Sequence, residues 1–215
     1  DRQKLIDEIL HGQALLANSP IIPGTWAYHA DLQPPVLDLS RARQLLSKAG
    51  WQFPGASRPA IDDTGLVIAP TPSPVSGEPP IRVKNGIPLS FTLYCNSDPV
   101  HIAVAKSIAQ QWLVVGVKAT VVPVQAGLAS NYLAPRNYQA ALIDVQLQGD
   151  RDPYPFWDET QANAGQNYSQ YRDRDVSEIL EQARRTPALA TRIDLYHKFQ
   201  EMFLDRMPGI LVYYP

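Results

Sequence analysis

Apolar positions recur at helical spacing near both ends of the chain and at strand spacing between them. Leu5, Ile6, Ile9 and Leu10 share one face and predict a helix over residues 1–17, with Gly12 placed to end or bend it. After an irregular stretch containing Pro20, Pro23, Pro34 and Pro35, Asp38 predicts the cap of a short helix. That helix carries Ala42, Leu45, Leu46 and Ala49 on one side, and Gly50 closes it at the position where a positive φ is needed. From Pro88 onward the period alternates. Leu89 to Cys95 reads as a strand, and Asp98-Pro99 opens a helix to Val115 whose inner face carries Val104, Ile108, Trp112 and Val115. Lys118 to Val124 reads as the next strand, about 126–133 as a short helix, and Tyr138 to Leu147 as a third strand. Two further helices, Arg172 to Arg185 and about 187–206, precede a last strand at 210–214. Strand, helix, strand, helix, strand implies crossover units. The expectation is an α/β fold with a mixed, partly parallel sheet flanked by helices.

Composition narrows the class. The chain has 215 residues, 45% of them hydrophobic, which is enough for a sizeable core and excludes a disordered chain. Nineteen basic residues against 21 acidic ones, with neither sign in long runs, argue against nucleic acid as a partner. The single cysteine, Cys95, excludes an internal disulfide framework and Cys-rich zinc patterns, and its place at the end of an apolar run makes it a buried structural thiol. The 20 prolines cluster, eight of them between residues 52 and 88. Leu66-Val67-Ile68 and the tight-turn pair Asn85-Gly86 make that stretch a decorated loop or hairpin inside one domain of residues 1–215, rather than a linker.

Candidate chemistry gathers in one segment. Neither a Gly-rich phosphate loop nor a Gly-x-Ser-x-Gly elbow occurs, and His11, His29, His101 and His197 are far apart in sequence. Residues 148–158, by contrast, follow a strand directly and combine carboxylates, two stiffening prolines and three aromatics. Loops at the carboxyl ends of strands carry ligand contacts in open α/β sheets. Asp150, Asp152, Tyr154 and Trp157 are therefore candidate ligand-binding residues, together with Asn96, which follows the strand ending at Cys95. As a cleft wall, the loop would leave Trp157 partly exposed beside Tyr154. Three other readings stand beside this one. Asp150-x-Asp152 could hold a divalent cation in an enzyme of glycosyl-transfer type. The pair could act as acid and base. Or the loop is a rigid turn whose aspartates cap amides and whose aromatics pack inward. A protein-interaction domain using the proline-rich surface is a further alternative for the whole chain.

The order of these pieces resembles the family 5 extracellular solute-binding proteins of ABC transporters, which include dipeptide-, oligopeptide- and nickel-binding proteins. The opening Asp1 to Gly12 is similar to the family's first helix here, and Pro20 to Tyr28 to its Pro-rich segment. Asp38 to Trp51 is similar to its D-x-x-x-A-x-x-L-L-x-x-A-G-W helix, the most specific piece. Gln111 to Ala119, Asp152 to Phe156 and Met207 to Tyr214 resemble later family passages. The resemblance implies one lobe of a longer, two-lobed clamp that closes on a solute, without catalysis or cofactor. It also implies an extracytoplasmic location, with a peptide-like solute, the remaining lobe and a membrane permease as partners. In peptide-binding relatives an aspartate three residues before the Asp-Pro pair meets the ligand's amino terminus; here Gly149 holds that position and Asp150 lies one residue late.

Overall fold

The computed structural model describes residues 1–33, 35–54, 60–61, 67–68, 79–147 and 152–215. Asp150, and most of the proline-rich stretch including Leu66, lie outside the described residues. The chain forms two compact units. One comprises Asp1, 37–128 and 138–143; the other comprises 2–36, 129–137 and 144–215.

The first unit is built on a three-stranded parallel sheet. Strand β6 (Ser90–Asn96) lies between β7 (Lys118–Val124) and β8 (Ala140–Ala141), each parallel to it. The β6–β7 register runs from Ser90 opposite Lys118 to Asn96 opposite Val124. Helix α3 (Pro99–Leu113) makes the crossover. Asp98 caps it by accepting from the His101 amide, and Pro99 fills a first-turn position that needs no N–H. Its Ala105, Ile108 and Trp112 pack with Leu93, Cys95, Ala119 and Val121, and Val104 is buried too. Cys95 is buried, and burial pushes its thiol pKa up, as expected of a structural cysteine. Helix α2 (Leu39–Lys48) is capped by Asp38, as the sequence implies. Short antiparallel pairs β2 (Ala60–Ile61) with β3 (Val67–Ile68), and β4 (Val83–Lys84) with β5 (Ile87–Pro88), complete the unit. Arg82, fully buried, ties it together: its guanidinium donates to Val115 O, Trp51 O and Ser47 Oγ and lies 4.2 Å from the Phe53 ring centre.

The second unit is mainly helical. Helix α5 (Arg174–Arg185) buries Val176, Ile179, Leu180 and Ala183 against Tyr196, Phe199 and Phe203 of α6 (Leu189–Arg206). Asp173 caps α5 at the Val176 amide. Helix α1 (Arg2–Ile9) is shorter than expected, because His11 and Gly12 both adopt positive φ and end it. The chain then forms β1 (Leu15–Leu16), paired antiparallel with β9 (Tyr213–Tyr214). The Pro-rich segment is held by a buried polar network. Gln200 accepts from Ser19 Oγ and His29 N and donates to Ala27 O and Tyr196 O, while Tyr214 Oη donates to Ser19 O. These bonds satisfy groups that prolines leave without regular ladders.

Further expected elements are reduced, among them the last strand, which spans Tyr213–Tyr214 of the expected 210–214. Residues 126–133 form one wide helical turn, Ala129–Leu133, and the strand expected over 138–147 pairs only at Ala140–Ala141. Within that segment Val145 is exposed and Leu147 is buried.

Candidate ligand-binding site

The aromatic loop lies in the second unit. Residues Tyr154–Trp157 form one helical turn, α4, rather than the extended backbone that Pro153 and Pro155 suggest. Proline is compatible with a first helical turn, where its missing N–H has no partner to lose. That turn rotates Trp157 inward. The indole is 9% exposed, packs edge-on against Phe203 with ring centres 4.6 Å apart, and covers Gly209 so closely that a Cβ there would lie 3.1 Å from Cη2. The expected exposure of Trp157 is thus corrected: the side chain belongs to the unit's own core, and its Nε1 makes no hydrogen bond.

Tyr154 stays partly exposed. The Arg184 guanidinium carbon sits 4.2 Å from its ring centre, and its hydroxyl is 3.0 Å from Thr160 Oγ1. Asp152 is engaged twice within the unit, accepting from the Tyr154 amide at 3.0 Å and pairing with Arg184 Nε at 3.0 Å. Asp158 is fully buried and accepts from the Thr160 amide and hydroxyl. Glu159 pairs with Arg174, which also binds Glu178 and Glu181. The structure thus brings Asp152, Tyr154 and Trp157 together on one turn. Asn96 belongs to the first unit, half-buried at the carboxyl end of the central strand β6, where strand order reverses between β7 and β8.

Arg184 went unnoticed in the sequence, since nothing local links it to residue 152. The same is true of Arg136, which donates to the carbonyls of Leu133, Gln161, Ala162 and Gly165 and lies 5.2 Å from the Tyr168 ring centre, fixing the far side of the loop. His29 and His197, distant in sequence, stack with ring centres 4.3 Å apart, and His29 Nε2 lies 3.3 Å from Glu201. Among the described residues, no group of three or more His, Cys, Asp or Glu could hold a metal ion.

Residues 1–168 match the family of bacterial extracellular solute-binding proteins, family 5, middle region. The chain belongs to that family. Among curated family 5 relatives, the oligopeptide-binding protein AppA of Bacillus subtilis is 22% identical over 220 residues, covering 100% of this chain and 36% of AppA. The di/tripeptide-binding protein 1 of Pseudomonas aeruginosa is 22% identical over 212 residues, covering 97% of this chain and 34% of its own length. The solved structure of AppA in complex with a nonapeptide matches with a TM-score of 0.82, covering 100% of this chain and 39% of that one. NikZ of Campylobacter jejuni, in complex with Ni(L-His), matches at 23% identity and a TM-score of 0.76, again covering 100% and 39%. The chain therefore spans about a third of the length of the curated relatives it matches. Its fold is the mixed α/β fold of the matched parts of these structures. Among the described residues no helix is long and apolar enough to cross a membrane.

Proposed function

We propose that residues 1–215 are one ligand-binding lobe of the substrate-binding component of an ABC importer. In this reading the longer protein works outside the cytoplasmic membrane, closes two lobes on a peptide or peptide-like solute, and delivers it to a membrane permease without catalysis. The observation that carries the reading is the family 5 match over residues 1–168, supported by likeness along nearly all of this chain to proteins named for binding peptides. Tyr154 and Asp150 are proposed as solute contacts of the second unit, and Asn96 is a separate candidate contact of the first. Asp152 and Trp157 contribute from beneath, by holding the turn that presents Tyr154. The reading of Asp150-x-Asp152 as an enzyme's cation site is disfavoured by a specific feature: the Asp152 carboxylate already has a cation, Arg184.

The test is a mass-spectrometric inventory of solutes that co-purify with the full-length protein, followed by calorimetry with those found. Peptides bound stoichiometrically and released unaltered support the proposal. Specific Mn²⁺ or Ca²⁺ uptake with turnover of a sugar nucleotide would overturn it.

A further inference from the structure

Between residues 152 and 159 the loop carries three carboxylates, and each is engaged inside its own unit. Asp158 is fully buried, Glu159 pairs with Arg174, and Asp152 pairs with Arg184. Arg184 does more than neutralise Asp152. Its planar guanidinium lies over the Tyr154 ring while its Nε binds Asp152 Oδ2, so one side chain fixes both the charge and the ring. Arg184 is itself 50% exposed, in the last turn of α5, and Asp152 is 23% exposed. Beside the Tyr154 ring, the Asp152 charge is compensated by Arg184.

We infer that Arg184 is a specificity-determining positioning residue: by pairing with Asp152 and stacking on Tyr154 it withholds the Asp152 charge from the solute, so that this carboxylate does not recruit an ammonium group. The inference rests on the proposed solute-binding role of the loop. Without Arg184, Asp152 would keep its bond to the Tyr154 amide but regain an uncompensated negative charge within reach of a bound cation.

The experiment uses the full-length protein with trialanine and N-acetyl-trialanine as probes, titrated by calorimetry at low salt into wild type, R184Q, R184K and the D152N/R184Q double variant. The expected result is a shift of the affinity ratio toward the free amine by about fivefold to tenfold in R184Q. The double variant should return the ratio to the wild-type value, and R184K, which keeps the charge, should stay near it. A merely structural role would weaken both probes together and leave the ratio fixed, which overturns the inference while sparing the peptide-binding proposal. An equal shift in R184Q and the double variant also overturns it, because Asp152 would then not be the charge released. Failure of wild type and all variants to bind either probe overturns the peptide-binding reading, and the inference with it.

Discussion

Replacing Trp157 separates scaffold from binding wall most sharply. The side chain is 9% exposed and packed on Phe203 and Gly209 within a core that includes Phe199, Ile179 and Leu180. A buried tryptophan removes about 150–250 Å² from water. At about 25 cal/mol per Å² that is roughly 4–6 kcal/mol of transfer free energy. Partial collapse of the site brings the expected loss for Trp157→Ala to about 3–5 kcal/mol. Trp157→Phe should cost less, about 1–2 kcal/mol, because it keeps one ring against Phe203 and removes an indole N–H that is buried without a partner. Urea unfolding of the 215-residue chain, followed by circular dichroism, measures both. A Trp157→Ala variant within 1 kcal/mol of wild type, with weakened solute binding in the full-length protein, would refute the core assignment and return Trp157 to the ligand wall.

Three other outcomes are expected. Gly116 has a φ of +84°, and a Cβ there would sit 2.6 Å from Phe53 and 2.8 Å from Arg82, so Gly116→Ala should lower stability by about 1–3 kcal/mol or more; an unchanged urea midpoint would contradict the packing around Arg82. Gln200→Leu keeps the side-chain bulk but strips partners from Ser19 Oγ, His29 N and Ala27 O. It should cost about 3 kcal/mol and speed amide hydrogen exchange over residues 19–32, while uniform protection in the variant would count against the network. Burial and the hydrogen bond to Asp173 push the Tyr171 hydroxyl up to about 12, so its stabilising contribution is intact below the ordinary tyrosine value of about 10 and is lost as pH rises through about 12. Phenolate absorbance should show that late titration in wild type and lose it in Tyr171→Phe.

Legibility in the sequence follows the range of the forces involved. The caps Asp38 and Asp98, read from the sequence, act on amides three residues away, and the helices beginning near them are present. Strand Lys118–Val124 has the expected bounds because it is bracketed by a turn glycine and pairs along its whole length with β6. The 138–147 segment fails for the opposite reason. Ala141, Ile143, Val145 and Leu147 alternate with Leu142, Asp144 and Gln146, but a strand exists only where a ladder partner exists, and β6 offers one at Ala140 and Ala141. Helix 1–17 is overextended because the apolar face says where a helix is stable and not that His11 can join Gly12 at positive φ.

The loop shows the same division at the level of the site. Its residue types identify it as special, but their roles are set by partners far along the chain. Pro153 and Pro155 are as compatible with one helical turn as with an extended wall, and the choice falls to Phe203 and Gly209, which offer Trp157 a dry surface. Once Trp157 turns inward, Tyr154, three residues earlier on that turn, is left at the surface, where Arg184 and Thr160 hold it. In the proposed solute-binding role, stability and recognition then fall to different rings of one short segment. Substitution at the buried ring is felt by the core, whereas substitution at the outer ring, or at the arginine above it, is felt by whatever the loop meets. On the proposed reading, the charge that Arg184 of α5 brings to Asp152 acts on the solute through the outer ring and not through the core.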